Sequence, residues 1–330
     1  MSRTVDEQVL ALLAEIGAKM KDLGHPPLDQ LTPEESRWYY RVAREYFTGV
    51  DVDGVTAEDT FFYGRDGHDI PVRIYEPEGE GPFPVLVYFH GGGWVFGDID
   101  SADNVCRRFA GEAQAVIVSV GYRLAPEHKY PAAFHDAVDA VAWTFRNLGE
   151  WNGDHDRVAI GGESSGGNLA AAAASYFLEH GDTGIAAQLL ITPVLNYDFR
   201  SASYQADYQY NLTNEKMKWF FGHYLNDASE GEDIYVSPLR KRNLEELPRT
   251  LLVTAHFDPL REEGHSYARR LKASGVQVDH LHYEDLVHSF MNMTGVVARA
   301  EEAFDETTRY LKNLLHKEVR VWDITISDLY

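Results

Sequence analysis

The 330-residue chain carries 52 acidic against 30 basic residues, a net charge of −22 with neutral histidines, beside an ordinary 44% apolar content. Nucleic acid and anionic membrane both need a positive face, so neither is expected as a partner, and the acidic excess reads as a solvated surface. Cys106 is the only cysteine, which excludes an intramolecular disulfide and gives no sign of an oxidising compartment.

In chain order, Val9, Leu10, Leu12, Leu13, Ile16 and Met20 recur at helical spacing and predict a helix over about residues 4–22. Asp6, Glu7 and Glu15 interrupt its apolar stripe, so it lacks the unbroken core of a signal peptide. With no apolar run of about 18 residues, no membrane span is expected, and the chain reads as cytoplasmic. Thr32-Pro33-Glu34-Glu35 is a capping box with proline at the first helical position, and it opens a second helix. That helix is rich in aromatics, with Trp38, Tyr39, Tyr40, Tyr46 and Phe47.

From about residue 55 the pattern changes. Short apolar runs at 85–90, 115–122, 157–162, 187–194, 249–257 and 276–283 read as strands. Helix-length stretches at 131–148, 165–180 and 261–274 lie between most of them. This alternation predicts an α/β fold with a mostly parallel sheet covered on both faces. Segment 196–230 breaks the rhythm with Tyr, Asn and Asp, then a helical piece around Lys216–Leu225. An insertion at the C-terminal edge of a strand is expected over the active-site side of the sheet. Trp38, Tyr39, Tyr208 and Trp219 are aromatics available to enclose a compact acyl or aryl group, or to pack this region on the core.

Gly162-Glu163-Ser164-Ser165-Gly166 stands between the strand RVAI and the helix former LAAAAASYFLEH. G-x-S-x-G at a strand-to-helix turn is a nucleophile elbow: Gly162 and Gly166 permit the close backbone approach, and Ser164 is the nucleophile. Ser165 would need glycines at 163 and 167 and has only the second. No lysine follows, so a phosphate loop is excluded. The helix that begins here favours negative charge developing at Ser164.

A serine needs a base, and the base an orienting acid. In the order Ser…Asp…His, Asp258 follows RTLLVTAHF and His288 follows VQVDHLHYEDL. Glu284 and Asp285 are rival acids, expected on the histidine's own approach loop. His280 and His282 alternate as on a strand face, and neither a metal site nor a cofactor is expected. His90-Gly91-Gly92-Gly93-Trp94 directly follows VLVYF, where a glycine loop presents backbone N–H groups to an oxyanion, and the Ser165 N–H should complete that hole.

HGGGWVFG (90–97), GYRLAPEHKYPAA (121–133), GESSGGNLAA (162–171), FDPLREEG (257–264) and HSF (288–290) run in a fixed order and spacing. In these motifs the chain resembles the hormone-sensitive-lipase-like family of α/β-hydrolases, in particular its bacterial carboxylesterases. The resemblance implies an α/β-hydrolase fold: a mostly parallel eight-stranded sheet flanked by helices, with a helical cap. Residues 1–50 and 196–230 would form the cap, and 51–195 with 231–315 the catalytic domain. It implies Ser164, Asp258 and His288 as the triad and Gly92, Gly93 and Ser165 as oxyanion donors. His90 and Gly91 would shape their loop rather than move protons. Glu163 stands where the family usually has Asp or Thr, and Ser165 where it has Ala.

Relatives usually finish near YLKNLL, whereas this chain continues through 316–330 with Trp322, Ile324 and Ile326 alternating with polar residues. Two readings stand for that extension: a strand on a sheet edge of its own chain or of a second copy, the latter making a homodimer, or a mobile tail. The expected function is hydrolysis of short- to medium-chain carboxylic esters through an acyl-enzyme, with activity rising through about pH 6–7 as His288 becomes neutral. Amides, lactones and acetylated sugars would use the same chemistry. The competing class is a non-catalytic small-molecule-binding protein on the same fold, against which His288 in its expected place argues.

Overall fold

The computed structural model describes residues 3–47, 49–181, 184–206 and 208–316. Its strands are β1 (Val55–Tyr63), β2 (Asp69–Pro77), β3 (Phe83–Phe89), β4 (Val116–Val120), β5 (Gly153–Glu163), β6 (Ile185–Ile191), β7 (Arg249–Phe257) and β8 (Val278–Val287). They form one eight-stranded sheet in the order β1-β2-β4-β3-β5-β6-β7-β8. The β1–β2 and β2–β4 pairs are antiparallel, and all pairs from β4 to β8 are parallel. Every residue of β4 is buried, as a strand covered on both faces must be. The hairpin β1–β2 was not among the expected strands. Most of β1, TAEDTFFY, is exposed at the sheet edge and so carries no apolar alternation.

The helices are α1 (Glu7–Asp22), α2 (Pro33–Arg44), α3 (Asp103–Ala113), α4 (Ala132–Asn147), α5 (Ser165–Glu179), α6 (Ala202–Gln205), α7 (Asn214–Tyr224), α8 (Arg261–Ala273) and α9 (Ala298–His316). α1 starts later than its apolar spacing suggests, because the Asp6 side chain accepts the N–H groups of Gln8 and Val9 and caps it. The capping box of α2 forms as expected, with Thr32 Oγ1 accepting from Glu35 N–H and Glu35 Oε2 from Thr32 N–H. Side chains of α4, α5 and α8 fill one face of the sheet with Val85, Val87 and Phe89. Those of α3 and α9 fill the other with Leu86 and Tyr88. Ala170–Ala174 of α5 are buried and small, so this helix approaches the sheet closely. Buried Arg108 fastens α3 to α9, pairing with Glu112, Glu301 and Asp305 while its guanidinium lies 3.9 Å over the Phe304 ring.

The N-terminal helices are fixed at the carboxyl ends of the strands. Arg37 of α2 donates to Val95 O at 2.8 Å and Ala125 O at 2.9 Å, and grips Glu127 with two nitrogens. The segment after β6 reaches the same side, where Trp94 stacks on Tyr224 of α7 with ring centroids 4.2 Å apart. Among the described residues no helix is long and apolar enough to cross a membrane. The strand expected within 316–330 lies outside the described residues, apart from His316 at the end of α9.

Candidate active site

Ser164 sits alone between the end of β5 and the start of α5, with φ 58° and ψ −117°. A positive φ costs a non-glycine residue about 1–3 kcal/mol, so the surroundings must hold it there. Ser164 N–H donates to Ile191 O at 2.8 Å, and Ser164 O accepts from Asn168 and Val194. The flanking glycines are obligatory for a visible reason. A Cβ on Gly162 would stand 2.4 Å from Phe89 O, and one on Gly166 would stand 1.9 Å from that same oxygen. The last carbonyl of β3 fills the space where side chains would begin.

Asp258 and His288, from the loops after β7 and β8, meet at Ser164. His288 Nε2 is 2.9 Å from Ser164 Oγ, and His288 Nδ1 is 2.8 Å from Asp258 Oδ2. All three side chains are buried. Asp258 Oδ1 accepts the Leu260 N–H at 2.8 Å, which fixes the carboxylate plane. A carboxylate can only accept, so Nδ1 carries the proton and Nε2 faces the serine with its lone pair. Burial opposes charging of His288, but the Asp258 charge and hydrogen bond, helped by the Glu163 charge, outweigh it and raise its pKa above the ordinary 6.5. The rival acids are elsewhere. They lie within β8 itself rather than on a loop: Glu284 pairs with Arg3, and Asp285 with Arg299 at 2.8 Å.

The glycine loop after β3 turns over the serine, with φ 122° at Gly92 and 60° at Gly93. A Cβ on Gly93 would stand 2.3 Å from the Phe220 ring, so the loop is pressed against α7. Among the described residues no protein acceptor takes the N–H of Gly92, Gly93 or Ser165. These are the three donors expected for an oxyanion. His90 is stacked on Tyr122 at 4.3 Å and lies 2.8 Å, through Nδ1, from Gly91 O. Burial depresses its pKa to about 4, so the ring is neutral and Nδ1–H donates to Gly91 O, as suits a loop-shaping residue. Ser165 Oγ is buried, 3.5 Å from Tyr122 Oη.

Several contributors were not anticipated. Glu163 Oε2 accepts from Asn292 Nδ2 at 2.7 Å, and Asn292 Oδ1 from Arg44 of α2 at 3.3 Å, so the elbow is tied to an N-terminal helix. Asn211 donates to His288 O at 3.0 Å, and its own carbonyl accepts from Lys216 Nζ at 2.8 Å. Burial pushes the Lys216 ammonium pKa down. Sequence separations of 77 to 248 residues hide most of these links from any local motif. A cavity of about 640 Å³ opens onto Ser164 and His288, walled by Leu13 and Ile16 of α1, Tyr40 of α2, Phe47 just beyond that helix, and Leu212 and Phe220. Of the four aromatics singled out in the sequence, Tyr39 lines it. Trp38, Tyr208 and Trp219 pack outside its walls.

A serine at a strand–turn–helix elbow, with its histidine and carboxylate on the loops after the last two strands, defines a serine hydrolase of the doubly covered α/β class. The chain belongs to the α/β hydrolase fold family, whose model matches residues 86–292, and within it to the bacterial hormone-sensitive-lipase-like carboxylesterases. It is 37% identical over 266 residues to the carboxylic ester hydrolase LipN of Mycobacterium tuberculosis, covering 78% of this chain and 70% of that one. It is 32% identical over 281 residues to an ethyl acetate hydrolase of Pseudomonas putida, covering 84% and 88%. The solved structure of a thermostable esterase from Pseudomonas putida ECU1011 superposes with a TM-score of 0.88 at 34% identity, over 96% of this chain and 100% of that one. The chain is therefore a carboxylic ester hydrolase.

Proposed function

We propose that the protein hydrolyses short- to medium-chain esters with Ser164 as nucleophile, His288 as general base and acid, and Asp258 as the group that orients the imidazole. The reading rests on the continuous hydrogen-bonded chain from Ser164 Oγ through His288 to Asp258, 2.9 and 2.8 Å long at its two links. Ser164 Oγ attacks the ester carbonyl carbon while Nε2 takes its proton. The carbonyl oxygen becomes an oxyanion facing the amides of Gly92, Gly93 and Ser165, each such donor being worth roughly 3–4 kcal/mol in the transition state. The tetrahedral intermediate collapses, Nε2 protonates the departing alkoxide, and an acyl-enzyme remains. Water then attacks the acyl carbon with His288 as base, and the acid leaves as Oγ is reprotonated.

The substrate class follows from the walls. Aliphatic side chains of α1 and rings of α2 and α7 face the nucleophile, so the acyl or alcohol part is apolar and of limited length. Helices α1, α2 and α7 then act as a cap over the catalytic domain. A cytoplasmic setting suits the single, buried Cys106. The test is a hydrolysis screen over p-nitrophenyl esters from acetate to laurate, with covalent labelling of Ser164 by an organophosphate. Activity is expected to peak between acetate and octanoate, and labelling to vanish in Ser164→Ala. Equal labelling of that variant, or a maximum at laurate, overturns the reading.

A further inference from the structure

Away from the esterase cavity, the β7–β8 edge of the sheet gathers four histidines beside α8. His280, His282 and Glu284 alternate along β8 and so share one face. Thr254 of β7 is in register with His282, which brings His256, two residues on, to the same face. His265 of α8 packs onto His282, with ring centroids 4.7 Å apart.

We propose that His256, His282 and Glu284 form a binding site for a divalent cation of the zinc class. One ligand atom from each lies within 4.8 Å of the others. His256 Nδ1 is 3.5 Å and His282 Nε2 3.9 Å from Glu284 Oε2. Zinc–ligand bonds of 2.0–2.1 Å at tetrahedral angles place neighbouring donors about 3.3 Å apart. Closing the cluster on an ion therefore needs donor–donor distances to shorten by at most about 1.5 Å, within reach of side-chain rotation, with a water in the fourth position.

The outer partners aim the key ring. Thr254 Oγ1 lies 2.9 Å from His282 Nδ1 and 2.9 Å from His280 Nε2. A relay in which His282 Nδ1–H donates to Thr254 Oγ1, and Thr254 O–H to His280 Nε2, satisfies all three groups. It leaves His282 Nε2 with its lone pair toward Glu284, which is how outer-shell partners fix a ligating histidine. The three side chains keep 12, 20 and 51% of their exposure, so an ion can enter from solvent. The two imidazoles are borderline donors, and with a single carboxylate beside them the set favours zinc over the oxygen-seeking calcium and magnesium.

Two guanidiniums border the cluster. Arg261 Nη1 lies 3.2 and 3.3 Å from the His256 ring nitrogens and donates to His256 O at 2.8 Å. Arg3 pairs with Glu284 and is more than half exposed, so it can swing away. Arg3 and the ion compete for one carboxylate, and this competition gives the site a signature that general attraction to an acidic surface lacks.

The test titrates the chelator-treated full chain with zinc chloride by calorimetry, with cobalt(II) absorbance reporting geometry. One equivalent of zinc should bind. His282→Ala and His256→Ala should each weaken it by more than about 100-fold, beyond what loss of an outer partner costs. Glu284→Gln, at an exposed position, should weaken it too. His280→Ala, which acts on the ion only through Thr254, should weaken binding by about tenfold or less, and Arg3→Ala should bind about two- to fivefold tighter once an exposed ion pair no longer competes. Calcium should give no saturable heat. Esterase activity without zinc shows that each variant is folded. Absence of a saturable one-equivalent site in the wild type overturns the proposal. So does unchanged binding in the folded His282→Ala or Glu284→Gln protein, or equal losses in His280→Ala and His282→Ala.

Discussion

Gly166→Ala is the smallest substitution that tests how the elbow is built. The added carbon would stand 1.9 Å from Phe89 O and 2.5 Å from His90 O, both backbone atoms with no rotamer to yield. Reaching even 3.0 Å from Phe89 O means separating β3 from the start of α5 by at least 1.1 Å. That movement carries Ser164 and the Ser165 amide away from the glycine loop at 91–93. A misplacement of about 1 Å costs on the order of 100-fold in rate. The overpacking itself costs about 1–3 kcal/mol or more, and each kcal/mol lowers the melting temperature by roughly 1–2 °C in a chain of 330 residues. The assay is kcat/KM on p-nitrophenyl butyrate beside a thermal scan. Gly222→Ala on α7 serves as control, because nothing lies within 4 Å of its added Cβ. There the helix should gain about 0.5–1 kcal/mol with activity unchanged. A Gly166→Ala protein within twofold of wild type in kcat/KM and unchanged in melting temperature would refute the steric argument.

Three further outcomes are expected. Ser164→Ala should lose nearly all activity, whereas Ser165→Ala, which removes a hydroxyl facing Tyr122 and keeps the backbone donor, should retain most of it in the same ester assay. Asp258→Asn should leave the fold intact and lower kcat by about 10⁴, because an amide in that place favours the wrong histidine tautomer. His288 accepts a proton only when neutral, and its pKa is raised, so activity falls as pH drops through a midpoint above 6.5. Glu163→Gln removes one of the charges that raise it, which should move this acid limb of the kcat/KM profile to lower pH. A wild-type midpoint below 6.5, or one that Glu163→Gln leaves in place, contradicts the assignment.

The legible parts of the site were the local ones. The glycines at 162 and 166 and at 91 and 92 are where backbone meets backbone, and Gly93 is where backbone meets the Phe220 ring, so sterics impose their spacing on the sequence. Asp258 and His288 could be found because each closes a loop after an apolar strand. Strand β1 left no trace because an exposed edge strand has no apolar period to read, whereas β2 beside it carries one in the alternating buried Ile70, Val72 and Ile74. The Glu163–Asn292–Arg44 link joins three distant segments and leaves no local trace. The alternation of His280 and His282 was legible as one strand face, whereas Glu284, expected on a loop, continues that same face of β8. What the spacing could not show was that β7 pairs in a register that brings His256 beside them.

The glycine loop is interlocked with the helices above it. Trp94 stacks on Tyr224, and Phe96 packs against Tyr40, Trp219 and Phe220, while Arg37 holds Val95 O. Selectivity and rate are therefore not separable modules in this chain. Grafting foreign α2 or α7 sequences to change the accepted ester would also disturb the amides that stabilise the oxyanion. Productive chimaeras with relatives should inherit residues 33–44, 90–97 and 214–224 as one block, with crossovers placed outside all three.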